Sequence, residues 1–455
     1  MPRLIAIFSL AILIVVGALV TPIREAAQTQ LPTPTAGQSL QTTAAAAPAE
    51  QTVTHYTLPP DKLRKAYGLY LISGVLFVVS TLYGWFIFWL FLRCRWMVRV
   101  RDWAERVASR RVLQAAIVMP IFVALFVVLT LPLGLYAQHV ERVYGISVQG
   151  WGSWFRDWLV QLLLLALVST LLGWVLYTFL RRSPRRFWLY FWLAFIPISA
   201  FLVFIEPVAI EPLFNKFEPL QPHHPELVTQ LERVIARSGI EIPASRMFEM
   251  KASEKLTGSN AYVTGFGSTK RVVVWDTAID KLTTQQIMYV FGHELGHYVL
   301  GHVVKGFFFT LGVCFVLFYL NHRLATFMQR RWGAGWGIRD LDDWASLPLL
   351  CLAGSVLLFA AGPLLNAYSR AQEHQADQYG LEIVHGMFPD SGQVAAQSFQ
   401  RLGEQWLEYR DVSPAAVFFA WDHPPIRDRV QFALTYDPWG QGQSPEFVKT
   451  AAGSP

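Results

Sequence analysis

The chain has 455 residues, 53% of them apolar and 15% charged, and its formal net charge is +6. This composition excludes an ordinary soluble enzyme and is typical of a membrane protein. The arginines lie in short segments beside long apolar runs, where basic residues usually meet lipid headgroups, so the positive charge does not indicate nucleic-acid binding.

Seven apolar runs are each about long enough to cross a bilayer. The first run could instead be a signal peptide, because Arg3 precedes a short apolar core, although no small-x-small cleavage site follows it. The seven predicted spans are residues 4–20, 68–92, 112–137, 158–180, 187–205, 306–320 and 344–367.

The spans divide the chain into six predicted segments. The segment after the first span is rich in Ala, Thr, Gln and Pro and has too few large apolar residues to build a core. The segments are the first span or signal anchor (1–21), a low-complexity linker (22–66), spans two to five (67–206), a soluble α+β segment (207–305), spans six and seven (306–368) and a C-terminal segment (369–455).

Arginine is concentrated in three of the short loops. Residues 93–111 contain seven arginines, and residues 181–186 and 323–344 contain four each. Basic loops usually face the cytoplasm, so these loops are predicted to be cytoplasmic and the segment 206–305 to be exoplasmic. In a bacterium, the protein would lie in the plasma or inner membrane.

The soluble segment combines helix and strand patterns. A Thr and a Gln three residues apart form a capping box, which predicts the start of its last helix. The predicted elements are a helix at 225–238, strands at 246–250, 260–266 and 271–276, and a helix that begins at Thr283 and Gln286.

Any metal site must use histidine and carboxylate, because the three cysteines are not spaced as a pair. The stretch HELGH, residues 293–297, has the HExxH form. On a helix, His293 and His297 point nearly the same way and can offer two nitrogens to one cation.

Glu294 is rotated by about 100° from His293 on that helix, where it can reach a water on the open side of a metal. We therefore predict one zinc ion that lowers the pKa of water, with Glu294 as the general base that takes its proton. The resulting hydroxide attacks a peptide carbonyl. The alternative is a buried helix whose polar groups happen to be satisfied.

A third histidine, His302, invites comparison with zinc sites that take a later histidine as ligand. The register does not fit, because the tenth position after His293 is Val303 and the expected glycine is Leu300. On one continuous helix, His302 is turned about 180° from His293. It is predicted to be a solvated or hydrogen-bonded residue.

The remaining ligand is predicted in the stretch SRAQEHQAD, residues 369–377, directly after the last span. Glu373 and Asp377 lie on one helix face, so Glu373 can complete a His₂Glu site while Asp377 orients a ligand histidine. His374 is the rival ligand but points about 100° away from Glu373. The alternative is an ordinary charged helix surface.

Four motifs together, EPLFNKFEPL, SNAYVTGF, HELGH and SRAQEHQAD, resemble the type I CAAX prenyl protease family, the M48 integral-membrane zinc metalloproteases. The resemblance covers roughly residues 110–435. It implies an α-helical multi-pass membrane protein of about seven spans, in which a zincin-like α+β metalloprotease domain closes an intramembrane chamber.

The resemblance also implies roles for individual residues. Zinc is held by His293, His297 and Glu373, and Glu294 is the base. The segment Ser259, Asn260, Ala261 and Tyr262 resembles an edge strand that pairs with the substrate backbone, although an ordinary hairpin strand is the alternative. In the stretch DHPPIRDR, His423 and Arg429 could stabilise an oxyanion, unless the two prolines merely form a turn.

Two features depart from the family pattern, namely the Ala/Thr/Pro-rich insert after the first span and the exoplasmic placement of the active site. The expected substrates are peptides or proteins at the lipid bilayer, either CAAX-type lipidated tails or damaged membrane and exported proteins. Oligomeric state is not predicted. A different class of function is a catalytically silent transporter or scaffold whose zinc is structural.

Overall fold

The computed structural model describes residues 52–265 and 269–448. Within these residues, the helices are α1 (Pro60–Arg93), α2 (Trp96–Val107), α3 (Arg111–Tyr144), α4 (Trp151–Arg182), α5 (Phe187–Ile205), α6 (Pro225–Ser238), α7 (Asp276–Lys281), α8 (Thr284–Val299), α9 (His302–Trp336), α10 (Leu347–Val384), α11 (Ser391–Gln405), α12 (Pro414–Ala420) and α13 (Ile426–Thr435). The strands are β1 (Phe217–Pro219), β2 (Met247–Met250), β3 (Ala261–Thr264) and β4 (Arg271–Trp275).

Six of these helices are long and apolar enough to cross a membrane, namely α1, α3, α4, α5, α9 and α10. Each of them overlaps one of the seven predicted spans, and most extend beyond it, as α9 does at both ends of the predicted span 306–320. The remaining predicted span, residues 4–20, lies outside the described residues. A helix suits the bilayer because it satisfies its own backbone hydrogen bonds. The prediction of a multi-pass helical membrane protein is thus confirmed.

The six spans form a ring. In spatial order α1, α3, α4, α5, α9 and α10 each pack against the next, and α10 packs against α1 to close the circle. Only 17–44% of the residues in the apolar windows of these helices are buried within the protein, as expected if one face meets lipid and another faces a central space. The soluble segment and the C-terminal helices cover one end of this ring.

Connections at the covered end are tied to the soluble segment and the C-terminal helices. The Val148 N–H in the loop after α3 donates to the Lys255 carbonyl (2.9 Å). Tyr56 is buried and donates from its hydroxyl to the Glu408 carbonyl (2.8 Å). Helix α1 begins at Pro60, so the predicted linker boundary at residue 66 falls inside a helix.

The opposite end of the ring gathers the arginine-rich loops. Arg101 of α2 forms a buried ion pair with Asp343, with a separation of 2.5 Å. Arg181 at the end of α4 donates to the Asp342 carbonyl (3.1 Å). These contacts join the three predicted basic loops, so they all lie on the side of the ring away from the soluble segment.

The soluble segment is built on a four-stranded sheet in the order β1, β2, β4, β3. The central strands β2 and β4 are parallel, and the two outer pairs are antiparallel. Helix α6 coincides with the predicted helix, while β2, β3 and β4 are slightly shorter than the predicted strands. Strand β1 was not predicted, because three residues ending in a proline carry no strand pattern.

Helices α8 and α10 pack unusually closely, and glycines make this possible. A Cβ on Gly380 of α10 would lie 3.0 Å from the backbone nitrogen of His293, and a Cβ on Gly296 would lie 2.9 Å from Tyr379. Any larger residue would push the two helices apart. This close approach brings the HELGH helix against the extension of the last span.

Candidate active site

The HELGH motif lies on α8, and both of its histidines are buried. The predicted capping box is present, since the Thr283 side chain accepts from the Gln286 N–H while the Gln286 side chain accepts from the Thr283 N–H. This fixes the start of α8 and therefore the direction of its later side chains. His293 and His297 are both buried, with their Nε2 atoms 3.2 Å apart.

Glu373 of α10 meets both histidines. Its two oxygens lie 3.4 Å from His293 Nε2 and 3.5 Å from His297 Nε2. Each separation is close to the distance between two ligand atoms of a tetrahedral ion with bonds of 2.0–2.1 Å, which is about 3.3–3.4 Å, and one Glu373 oxygen lies beside each histidine. The Oε2 atom of Glu373 is buried without a hydrogen-bond partner among the described residues. The three side chains therefore fit a metal ion.

The first of these histidines is supported by a carboxylate. Asp377 Oδ1 lies 2.8 Å from His293 Nδ1, and Asp377 is almost fully buried. Arg429 of α13 donates to both Asp377 oxygens (2.9 and 2.6 Å) and lies 3.7 Å from Glu373. The Arg429 guanidinium also lies over the Phe399 ring at 4.4 Å.

The second histidine is supported by His302. The two Nδ1 atoms of His297 and His302 are 3.1 Å apart, and His302 Nε2 lies 3.0 Å from Gln375 Oε1. His302 is fully buried, so the prediction that it is solvated is wrong and its hydrogen-bonded alternative is correct. The sequence argument assumed one continuous helix, whereas α8 ends at Val299 and Gly301 turns the chain back with a φ of +69°.

Protonation differs between the two histidines. Burial lowers the pKa of His297 well below its usual range, which leaves its nitrogens available to a metal. Burial also acts to lower the pKa of His293, but the contacts with Asp377 and Glu373 outweigh it and raise the pKa to about 9. A metal ion must therefore displace a proton from His293 at neutral pH.

Glu294 lies beside this cluster and is partly buried. Burial raises the pKa of Glu294, while the neighbouring His293 lowers it in part. A carboxylate whose pKa is raised is a stronger proton acceptor, which suits a general base. Its position on α8 turns it away from the plane of the two histidines, as the helix geometry predicts.

The DHPP stretch reaches the same cluster. His423 Nε2 lies 3.2 Å from Glu373 Oε1, and its Nδ1 lies 2.9 Å from the Asp422 carboxylate. The His423 side chain is 25% exposed, so it borders the site and still has access to solvent. Asp422 was not singled out from the sequence, although its place directly before the histidine was a usable signal.

Strand β3 lies at the edge of the sheet, packs against α8 and contains two of the four predicted substrate-binding residues, Ala261 and Tyr262, while Ser259 and Asn260 directly precede it. The Trp275 N–H donates to the Asn260 carbonyl (3.0 Å). In an antiparallel pair, the backbone N–H and C=O groups of every second residue, here Asn260, Tyr262 and Thr264, therefore point towards β4. By that alternation the N–H groups of Ala261 and Val263 point outward. The Asn260 side chain accepts from the Ala261 N–H (2.8 Å), and the backbone N–H of Tyr262 points towards β4.

The ends of the same segment are anchored. Ser259 donates from its hydroxyl to the Thr277 carbonyl (2.9 Å) and from its N–H to Gln405 (2.7 Å). The Tyr262 hydroxyl donates to Glu211, a buried residue just after α5. Side-chain contacts thus fix where β3 lies relative to both the helices and the spans.

Comparisons with known proteins agree with this architecture. The sequence profile of peptidase family M48 matches residues 222–437, and that of the CAAX prenyl protease N-terminal region, described as five membrane helices, matches residues 41–216. The uncharacterized metalloprotease YhfN of Bacillus subtilis is 35% identical over 376 residues, which cover 83% of this chain and 86% of that protein.

One further relative and one solved structure are also similar to this chain. CAAX prenyl protease 1 of Saccharomyces cerevisiae is 27% identical over 329 residues, covering 67% of this chain and 68% of that protein. The crystal structure of S. mikatae Ste24p superposes with a TM-score of 0.69 at 22% identity, covering 83% of this chain and 89% of that chain, which shows a shared fold.

The membrane-spanning ring and the covered histidine–glutamate cluster define an integral-membrane metalloprotease. Its substrates are therefore peptides or proteins. The chain belongs to peptidase family M48, as its relationship to YhfN and both profile matches show. The predicted resemblance to CAAX prenyl proteases is confirmed at the level of the family.

Proposed function

We propose that the chain is a zinc-dependent endopeptidase that holds one zinc ion with His293, His297 and Glu373. The observation that carries this proposal is the set of separations between their ligand atoms, 3.2, 3.4 and 3.5 Å. Two imidazoles and a carboxylate are a common ligand set of catalytic zinc, whereas structural zinc is usually closed by four protein ligands. Among the described residues, the cluster comprises only these three.

When bound, zinc would lower the pKa of water and polarise the carbonyl of the peptide bond. Glu294 accepts the proton that the attacking water loses and passes it to the departing amine, so one carboxyl group serves both proton transfers. Its raised pKa helps both steps, because the conjugate acid must survive long enough to return the proton.

His423 and Arg429 flank the cluster from the C-terminal side. His423, oriented by Asp422, is placed to donate a hydrogen bond to negative charge that develops beside Glu373. Arg429 has a second task, since its two bonds to Asp377 hold the carboxylate that supports His293. We therefore assign Arg429 to orientation as well as to charge stabilisation.

Strand β3 binds the substrate backbone by strand addition. The outward N–H of Val263 is a donor for an extended peptide, and pairing through the main chain tolerates many side chains. The anchors at Ser259 and Tyr262 support this proposal, because a strand that receives a peptide must keep its register against α8.

Replacement of Glu294 tests the proposal. We expect Glu294→Gln to retain zinc, measured by elemental analysis, while peptide cleavage falls by about 10²–10⁴. His293→Ala is the matched variant, which loses both zinc and cleavage. Unchanged cleavage in Glu294→Gln would contradict the proposal and favour a scaffold or transporter with structural zinc.

The substrate is proposed to be either a CAAX-type lipidated tail or a damaged membrane or exported protein. The relationship to yeast CAAX prenyl protease 1 favours the first. Cleavage of one peptide sequence with and without a prenyl group separates the two, since a lipidated substrate predicts a much lower KM for the prenylated form. Equal KM values favour the quality-control substrate.

The catalytic end is proposed to be exoplasmic. The support is that the arginine-rich loops gather at the other end of the ring, where the positive-inside rule places the cytoplasm. A reporter fused after residue 455 and read for cytoplasmic against exoplasmic activity tests this. A cytoplasmic signal would reverse the topology and favour prenylated cytosolic substrates.

A further inference from the structure

Both imidazoles of the proposed zinc site have a partner on the ring nitrogen that faces away from the metal, but the two partners differ in chemistry. His293 faces the Asp377 carboxylate at 2.8 Å. His297 faces another imidazole, His302, at 3.1 Å. The proposed reaction does not use His302, although the residue is fully buried beside the cluster.

If His297 Nε2 binds a cation, the hydrogen bonds around His302 have one arrangement of protons. To offer Nε2 to a cation, His297 must carry its proton on Nδ1, which then donates to His302 Nδ1. His302 therefore carries its own proton on Nε2, which donates to Gln375 Oε1 at 3.0 Å. In the amide orientation that the structure has, the Gln375 carbonyl oxygen faces His302 Nε2 and can only accept, which agrees with a proton on that nitrogen.

The fold brings these three side chains together at the junction of two helices. The positive φ of Gly301 ends the path of α8 and makes His302 the first residue of α9. Gln375 lies on α10, two residues after Glu373, so the same helix supplies one ligand and the acceptor that supports another. The Gln372 amide also donates to the His302 carbonyl at 3.5 Å.

We propose that His302 is the positioning residue of the second zinc ligand, and that Gln375 selects the tautomer in which His302 accepts from His297. This proposal rests on the proposed zinc site. Outer partners of ligating histidines fix ring orientation and tautomer, and their loss typically lowers metal affinity by about 10–100-fold. A histidine that merely filled space would leave the affinity unchanged when replaced by an apolar residue of similar shape.

Two substitutions of similar shape separate these roles in the full chain. His302→Asn retains a carbonyl oxygen near the position of Nδ1, whereas His302→Leu removes every acceptor. Zinc affinity is measured by competition with a chromophoric chelator, with circular dichroism to confirm the helices. We expect a loss of about 10–100-fold for His302→Leu and near wild-type affinity for His302→Asn.

The absorption spectrum of the cobalt-substituted protein provides a second measurement that does not depend on activity. Without an acceptor at residue 302, the His297 ring loses its fixed orientation and the ligand field of cobalt changes. The d–d bands therefore shift in His302→Leu and not in His302→Asn. His374→Ala is the matched control, because His374 is an exposed neighbour of Glu373 that packs on Phe432. It leaves affinity and spectrum unchanged.

Gln375 gives the sharpest test, because it is proposed to act only through His302. Gln375→Ala lowers zinc affinity in the wild-type background and has no further effect in the His302→Leu background. An equal effect in both backgrounds overturns the assignment of Gln375.

The proposed zinc site is tested separately from the proposed role of His302. Wild-type affinity in His302→Leu, while His293→Ala and His297→Ala lose zinc, overturns the role of His302 and leaves the proposed function intact. Retention of zinc by the two ligand variants overturns the proposed function itself.

Discussion

The buried pair of Asp377 and Arg429 allows a quantitative prediction. Each side chain is the main partner of the other, through two hydrogen bonds of 2.9 and 2.6 Å, and both are well shielded from water. Removing one member of a buried ion pair leaves an uncompensated charge and costs about 3–5 kcal/mol, whereas removing both members is often close to neutral.

The neighbouring charges indicate that each single substitution lowers the free energy of unfolding by an amount near the lower limit of 3–5 kcal/mol, which is about 3 kcal/mol. In Asp377→Asn, the Arg429 charge still has Glu373 at 3.7 Å. In Arg429→Met, Asp377 still has His293 Nδ1 at 2.8 Å, and the methionine can pack on Phe399 where the guanidinium lay. We therefore expect each single variant to lose about 3 kcal/mol of unfolding free energy, and the double variant about 1 kcal/mol or less.

The assay is denaturant unfolding in detergent of metal-free protein, so that changes in zinc affinity do not enter the comparison. The pair of Lys62 and Glu404, 3.3 Å apart and partly exposed, serves as control and is expected to show a coupling of about 0–1 kcal/mol. If the double variant loses as much as the two single variants together, Asp377 and Arg429 do not act as a pair and the reasoning is wrong.

Three further predictions concern packing, substrate and metal. Gly380→Ala places a Cβ 3.0 Å from the His293 backbone and is expected to cost about 1–3 kcal/mol in denaturant unfolding, while Gly74→Ala, which meets open space inside α1, costs nothing and stabilises by up to about 1 kcal/mol. Val263→Pro removes an outward N–H from the edge strand and raises KM with little change in kcat; an unchanged KM argues against strand addition. Because a proton stays on His293 up to a pKa of about 9, zinc affinity in competition titrations rises by about tenfold per pH unit from 6.5 towards 9, and a flat profile contradicts this.

Much of the fold follows from local patterns in the sequence. Apolar runs of sufficient length predict helices that cross a bilayer, and six of the seven coincide with long helices in the described residues. The capping box at Thr283 predicts where α8 begins, and the repeat of the helix then places His293 and His297 on one face. These features were predictable because helix geometry depends on neighbours within a few residues.

His302 shows where that reasoning fails. Its predicted direction assumed that α8 continues past residue 299. A single left-handed residue, Gly301, ends that helix and turns the His302 side chain towards His297 instead of away from it. Glycine near a helix end is a known stop signal, and the pair Leu-Gly at 300–301 was therefore available in the sequence. No local pattern indicates that the redirected imidazole meets His297.

The sequence by itself determined the number and approximate positions of the spans in the described residues, the ligand pair on α8 and the candidate carboxylates on α10, because each depends on a pattern along one helix. Only the tertiary structure decided that Glu373 meets both histidines, that Arg429 holds Asp377 and that His302 supports His297. Those contacts depend on how closely α8 and α10 pack across their glycines, and packing between distant segments leaves no periodic trace in either one.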